Sequence, residues 1–182
     1  MKKTTCYAAC IATTLLGCQI ANAYDGKIEF VGKITAQTCT INGNGSNARD
    51  FTVTLPTVSK VALPSAGSVA GRTPFTIALT ACSPASGTVA TFFEPGPTVD
   101  VASGQLIIDA GGTNASNVRL GLLNDDSTPI QVGASYSASG TKPVAISAAG
   151  AANLTYAVQY VATGVTVEGD VKSRVQYTLV YN

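Results

Sequence analysis

The amino-acid sequence predicts an all-β protein built as an antiparallel sandwich of short strands. Apolar and polar residues alternate in successive short rows, which is the period of a strand with one buried face. Clusters of Gly, Pro, Asn and Ser separate these rows, as turns separate strands. No segment shows the 3.6-residue period of an amphipathic helix. Short strands with regularly spaced turns are typical of a sandwich.

The predicted strands follow one another along the chain. Their apolar rows are Ile28, Phe30 and Ile34; Phe51, Val53 and Leu55; Phe75, Ile77 and Leu79; Val118, Leu120 and Leu122; and Leu154, Tyr156, Val158 and Tyr160. Turn clusters such as residues 42–46 and 94–97 lie between the rows. Residues 135–150 are rich in Ala, Ser and Gly, so we expect a loop or a weak edge hairpin there.

The last predicted strand carries its apolar residues on one face. The odd positions after Gly169 are Val171, Ser173, Val175, Tyr177, Leu179 and Tyr181, of which only Ser173 is polar. A strand with a buried face needs a neighbour on each side, because an unpaired edge leaves its backbone groups free. Only Asn182 follows this strand. We therefore expect the missing neighbour to come from elsewhere in the chain or from another molecule.

The N-terminus has the features of a secretory signal peptide. Lys2 and Lys3 precede an apolar run of about fifteen residues, and Ala21, Asn22 and Ala23 form a small-x-small cleavage site. Cleavage would make Tyr24 the first residue of the exported protein. Residues 15–18 also form a weak lipoprotein box, so acylation of Cys18 remains an alternative. No other segment is apolar enough to span a membrane, and stable membrane insertion is not expected.

Residues 24–182 keep two of the five cysteines, Cys39 and Cys82. Two cysteines in an exported protein are expected to pair in a disulfide. A pair of free or metal-binding thiols is the alternative. A mixed Cys/His zinc site is excluded, because the sequence contains no histidine.

Charge and composition argue against several classes of function. Residues 24–182 carry nine basic and ten acidic residues, so no basic field is present to attract nucleic acid or an anionic membrane. Without histidine, neither a Ser-His-Asp nor a Cys-His centre can form. A carboxylate-pair hydrolase stays conceivable, but the acidic residues lie mostly in turns. Asn124–Asp126 could suggest calcium but lacks the ligand spacing of a known loop. We expect no enzyme, no cofactor and no metal.

Several motifs occur in a specific order and spacing over residues 26–182. Gly32 interrupts the first alternating row, seven residues before Cys39, and Cys82 closes the row that begins near residue 73. The second-last residue is Tyr181, and Gly169 is the fourteenth from the end. In this arrangement the chain resembles the pilin subunits of chaperone–usher fimbriae, the type 1 and P pilus class.

The resemblance implies an incomplete immunoglobulin-like β-sandwich that lacks its last strand. It divides the chain into a signal peptide (1–23), an N-terminal donor-strand extension (24–36) and a pilin domain (37–182). The donor residues would be Ile28, Phe30, Gly32 and Ile34. The groove and chaperone-binding strand would comprise Gly169, Val171, Val175, Tyr177, Leu179, Tyr181 and Asn182.

The implied function is that of a structural subunit of a surface fimbria that supports cell adhesion. The implied partners are other pilin subunits, a periplasmic chaperone that lends a strand, and an outer-membrane usher at which a neighbour's extension replaces it. Strand addition of this kind is a known recognition mode. A minor adaptor or terminator pilin is the nearer alternative, and a monomeric secreted carbohydrate-binding module is the more distant one.

Overall fold

The computed structural model describes residues 26–182 of the chain. Residues 26–34 belong to one unit and contain no regular secondary structure, whereas residues 35–182 form a second, compact unit. The expected cleavage-site residues Ala21, Ala23 and Tyr24, and Cys18, lie outside the described residues. Within residues 26–182, no helix has the length and apolarity needed to cross a membrane.

The second unit consists of two antiparallel sheets. Its strands are β1 (Thr38–Gly43), β2 (Val69–Ser83), β3 (Thr88–Phe93), β4 (Val99–Asp100), β5 (Gln105–Ile107), β6 (Ser116–Asn124), β7 (Val144–Ala145), β8 (Ala152–Val167) and β9 (Tyr177–Tyr181). The larger sheet has the order β1-β2-β8-β6-β5-β4, and the smaller has the order β7-β3-β9. Two short 3₁₀ helices span Lys60–Ala62 and Tyr136–Ala138.

The hydrophobic core lies between the facing surfaces of the two sheets. The ring of Phe93 on β3 meets Tyr156 on β8 edge-to-face at 5.3 Å between centroids, and Phe75 on β2 lies 5.7 Å from the same tyrosine. Ile77 and Leu154 are fully buried beside them. Aromatic pairs of this geometry add to the burial energy of a core. The core therefore joins β3 of the smaller sheet to β2 and β8 of the larger sheet.

Three of the predicted rows confirm the strands expected from alternation. The rows that begin at Phe75, Val118 and Leu154 lie in β2, β6 and β8, with their apolar residues on the buried face. Residues 135–150 contain a single turn of 3₁₀ helix and the two-residue edge strand β7. Strands β4 and β5 were not predicted, because two or three residues are too few to show a period.

Residues 28–34 contain no regular strand, and two further predicted strands also differ from the structure. Residues 51–59 form no regular strand, although their side chains alternate between half-buried and exposed. The C-terminal strand was predicted from about residue 171, whereas β9 begins at Tyr177. In both places the extended backbone lacks a strand partner on at least one side. The candidate site lies along these unpaired backbone edges.

Candidate functional site

The disulfide lies at one end of the sandwich. Cys39 on β1 and Cys82 on β2 are bonded to each other, as the sequence predicts. The two strands are antiparallel neighbours, with Thr38 opposite Ser83. The bond therefore cross-links two neighbouring strands of the larger sheet, close to the beginning of the compact unit.

The C-terminal segment is extended from Asp170 to Asn182 and uses only one of its edges. Its even-numbered residues all bond on the same side. At its beginning, the Asp170 N–H donates to the Thr113 carbonyl at 2.8 Å, and its carbonyl accepts from the Ala115 N–H at 2.9 Å. The next even-numbered carbonyls accept one bond each: Lys172 from the Asp109 N–H (2.8 Å), Arg174 from the Thr98 hydroxyl (2.5 Å) and Gln176 from the Glu94 N–H (2.9 Å). At the end, Asn182 and Thr88 exchange two backbone bonds of 2.9 Å each. Antiparallel pairing with β3 continues this side through Thr178 and Val180.

The odd-numbered residues of the same segment face a free edge. In an antiparallel ladder, residues alternate between those that bond the partner and those that point away from it. Because Asn182 bonds Thr88, the backbone groups of Tyr177, Leu179 and Tyr181 point away from β3. Within the described chain, Val171 and Val175 also make no backbone hydrogen bond. A row of unpaired N–H and C=O groups thus extends along about eleven residues.

The side chains of these odd residues lie against the core without being buried by it. Val171, Val175, Tyr177, Leu179 and Tyr181 are half-buried and pack against the core cluster, whereas the even residues between them are mostly exposed. Partial burial raises the pKa of the Tyr177 and Tyr181 hydroxyls. Each residue in the row therefore combines a free backbone edge with an incompletely covered apolar side chain.

A second half-buried row lies on residues 51–58. Phe51, Val53, Leu55 and Val58 pack against the same core, and within residues 26–182 this stretch has no strand partner. Near its beginning, the ring of Phe51 is 6.4 Å from that of Tyr177, whose hydroxyl donates to the Arg49 carbonyl at 2.8 Å. The two rows therefore line an open groove, which we define by residues 51–58 and 171–181.

Gly169 lies at the end of this groove and not along it. A Cβ at this position would lie 2.4 Å from the Ala115 nitrogen and 2.5 Å from the Thr113 carbonyl oxygen. Such distances require a glycine, because any side chain would displace backbone. The sequence prediction grouped Gly169 with the groove residues. The structure shows that it allows the close approach from which the extended segment starts.

The N-terminal segment exposes its alternating apolar residues. The exposed fraction is 79% for Ile28 and 90% for Phe30, and Ile34 is also fully exposed. Lys27 and Glu29, on the other face, form an exposed ion pair at 3.9 Å. Three large apolar side chains on one short segment are unusual for a solvent-exposed surface.

The other candidate chemistry of the sequence has a structural explanation. In the Asn124–Asp126 turn, hydrogen bonds from Lys142 and then from Thr128 lower the pKa of Asp126 to about 2. Its carboxylate is thus already paired within the protein. Among residues 26–182, no group of three or more His, Cys, Asp or Glu is placed to hold a metal ion.

Sequence reasoning missed the part played by residues 51–58. It identified Phe51, Val53 and Leu55 as a strand row but did not place them on the groove. The available signal was the alternation itself, closed by Pro56. Val58 was missed as well, since it follows the proline and breaks the two-residue period.

Comparisons with known proteins support one family. The model of the type-1 fimbrial protein family matches residues 55–182. The chain is 49% identical over 165 residues to the major fimbrial subunit SMF-1 of Stenotrophomonas maltophilia, a match that covers 89% of this chain and 95% of that protein. It is 43% identical over 164 residues to the F17 fimbrial protein of Escherichia coli, covering 87% and 88%.

Solved structures share the fold at low sequence identity. The P pilus rod subunit PapA superimposes with a TM-score of 0.55 at 19% identity, covering 86% of this chain and 99% of that chain. A chaperone–usher pilus subunit, from a structure that addresses rod uncoiling, gives 0.58 at 19% identity, covering 86% and 95%. These likenesses confirm the immunoglobulin-like sandwich.

Fimbrial subunits of this kind polymerise with other pilin subunits into fimbriae on the cell surface. They are structural proteins and not enzymes. The family model covers well over half of the sequence, and the identity to full-length fimbrial subunits is high. The chain therefore belongs to the type-1 fimbrial protein family and is a structural pilin subunit.

Proposed function

We propose that residues 26–34 of one subunit fill the groove of another copy of this chain and thereby build the fimbria by donor-strand exchange. Residues 1–23 are then the signal peptide, 24–36 the donor-strand extension and 37–182 the pilin domain. The observation that carries the proposal is the free backbone edge along residues 171–181, bordered by half-buried apolar side chains.

A donor strand formed by residues 26–34 would match the groove strand in its backbone groups. On the groove strand, the residues with inward side chains are also those with free N–H and C=O groups. In an antiparallel pair, directly opposite residues have side chains on the same face. A donor strand with Ile28, Phe30, Gly32 and Ile34 facing inward would therefore present their backbone groups to the groove strand. Four such pairs make about eight main-chain hydrogen bonds.

The side chains supply the driving force. Ile28, Phe30 and Ile34 are exposed in the described chain, and full burial of such a side chain is worth roughly 1.5–3 kcal/mol. The groove gains as well, because its half-buried valines, leucines and tyrosines are covered at the same time. Gly32 lies on the same face, where the lack of a side chain permits close backbone approach.

Export requires that the groove be covered before exchange. A long apolar strand edge promotes aggregation when it is left free. We therefore propose that the subunit passes through the periplasm bound to a chaperone, which lends a strand to the groove and binds the Tyr181–Asn182 terminus. An outer-membrane usher then exchanges this strand for the extension of the next subunit.

The role that we propose is the repeating rod subunit. Donor segment and groove occur in the same chain, so each copy can both give and receive a strand. Such a head-to-tail contact is heterologous and propagates without closing. It thus suits a homopolymer better than a monomeric carbohydrate-binding module.

The test is self-complementation. A copy of residues 24–36 joined to the C-terminus through a flexible linker should give a stable, cooperatively folding monomer. The mature chain without the copy, and a matched control protein whose added copy carries Phe30→Asp, should be unstable or aggregate. A monomeric and cooperatively folded mature chain, without partner or added strand, would contradict the proposal.

A further inference from the structure

The end of the sandwich opposite the N-terminal junction exposes apolar side chains. At this end, the last pair between β2 and β8 is Val69 with Val161, and β8 continues for six residues beyond Val161. Val165 and Val167, on this projecting part, are 73% and 52% exposed. Val61, on the 3₁₀ helix of residues 60–62, is 79% exposed, and an ion pair between Lys60 and Glu168 holds that helix beside the end of β8. We call this surface the valine end.

The N-terminal segment leaves the compact unit at the other end. Gln37 donates a side-chain hydrogen bond to the Pro84 carbonyl at 2.6 Å, next to the disulfide and the start of β1. The neighbouring loops are residues 83–87 and 147–151, which are small, uncharged and mostly exposed. We call this surface the junction end. The groove strand runs between the two, from Gly169 near the valine end to Asn182 beside Thr88 at the junction end.

A short connection limits how far a donor's body can lie from the groove that it fills. Between Ile34 and the anchored Gln37 there are only three Cα–Cα steps, which span about 11 Å when fully extended. Once Ile34 lies in a neighbour's groove, the junction end of the donor must therefore lie next to that neighbour.

Polymer geometry then determines which end of the neighbour it meets. Each subunit's own extension departs from its junction end towards the previous subunit. If the incoming donor ran parallel to the groove strand, its body would crowd into that same end. An antiparallel donor, as in the purely antiparallel smaller sheet, places Ile34 near Val171 and its body at the valine end.

We propose that the valine end is a second contact surface between copies of this chain. It receives the junction end of the subunit that donates the strand, and this proposal rests on the donor-strand exchange proposed above. Val61, Val165 and Val167 pack there against the uncharged loops 83–87 and 147–151. The loops 83–87 and 147–151 carry no charged side chain, and Lys60 and Glu168 at the valine end pair with each other. Burial of this apolar surface stiffens the joint that the donor strand forms.

Photo-cross-linking in the assembled polymer tests the contact. A benzophenone amino acid replaces Val165, and a control protein carries it at Val101, which is 59% exposed in the turn after the edge strand β4. After irradiation and heat dissociation, position 165 should give covalent dimers. Mass spectrometry should locate the cross-link in residues 83–87 or 147–151 of the second copy. Position 101 should give few dimers.

The outcomes separate the two proposals. Unheated, SDS-resistant ladders from unirradiated samples report on donor-strand exchange independently of the cross-link. If ladders form but position 165 cross-links no better than position 101, or reaches other surfaces, the valine-end contact is refuted while exchange stands. As a second measurement, Val165→Glu should speed polymer dissociation in guanidinium by roughly tenfold or more, since it places a charge in an apolar contact. Val101→Glu should leave the rate unchanged, and equal rates for both variants would refute the contact.

Discussion

Phe30→Asp is the most direct perturbation of the proposed assembly. The phenyl ring is 90% exposed in the described chain, so its burial in a groove would contribute roughly 1.5–3 kcal/mol. An aspartate there would lose this contribution and also place an unpaired carboxylate among apolar side chains, which costs several kcal/mol. The sum is at least about 5 kcal/mol. Because 1.4 kcal/mol is a factor of ten, the occupancy constant should fall by about a thousandfold or more.

The matched control is Val31→Asp. Val31 is the adjacent residue, is apolar and is 91% exposed. In the proposed pairing it points away from the groove, so the same new charge stays in water and polymerisation should continue. Polymer length is measured by electron microscopy, and chaperone binding by co-purification. Both variants keep an intact groove of their own and should still bind the chaperone.

Three results would refute the reasoning. If Phe30→Asp forms polymers of normal length, the even-numbered face of residues 28–34 does not enter the groove. If Phe30→Asp and Val31→Asp are equally defective, the segment acts through its overall hydrophobicity and not through one face. Loss of chaperone binding in Phe30→Asp would indicate that residue 30 serves the subunit's own fold.

Three further predictions concern the groove and its support. Removal of Tyr181 and Asn182 deletes the paired hydrogen bonds to Thr88. The truncated subunit should no longer co-purify with the chaperone and should be degraded in the periplasm. Normal polymer yields from the truncated chain would contradict this prediction. In the self-complemented protein, added burial should raise the pKa of Tyr177 and Tyr181 further. The contribution of these tyrosines to the free energy of unfolding is then fully present below about pH 10 and is lost as the pH rises through the raised pKa values. Near-ultraviolet absorbance titration, compared with Tyr177→Phe and Tyr181→Phe variants, measures these pKa values, and tyrosines that titrate at the ordinary value would oppose the prediction. Replacing Cys39 and Cys82 by serine opens a loop of 43 residues. The chain-entropy model then gives a loss of about 4 kcal/mol in the free energy of unfolding. Denaturant unfolding of the self-complemented protein measures this loss, and an unchanged unfolding midpoint would count against it.

The strands that could be predicted from sequence are those whose apolar residues alternate along one face. In β2, β6 and β8 the alternating apolar row lies on the face that packs against the core, so alternation in the sequence located these strands. Their other face is not uniformly exposed, since Leu123 on β6 and Gln159 on β8 are buried as well. Strands β4 and β5 are held by pairing to β6 and to each other. Their two or three residues are too few to show an alternating pattern, so these strands could not be predicted from sequence. Pairing with a longer strand determines where they lie.

The groove strand was partly predictable. Alternation from Val171 to Tyr181 identified which side chains face inward. It could not show which residues have free backbone groups, since that depends on the register with β3 and on contacts such as that between Asp109 and Lys172. Nor could it assign Gly169 to a close backbone approach, which requires the position of Thr113–Ala115.

The disagreement over residues 51–58 carries functional information. The sequence has the period of a strand, and the side chains of Phe51, Val53 and Leu55 do face the core. The ladder is missing because, within residues 26–182, no strand lies beside them to accept or donate hydrogen bonds. Side-chain period records burial against the core, whereas a regular strand also requires a neighbour. A segment that faces the core without a strand neighbour supports the proposal that a strand from another subunit pairs there. The same reasoning applied independently to Val171–Val175 points to the same groove.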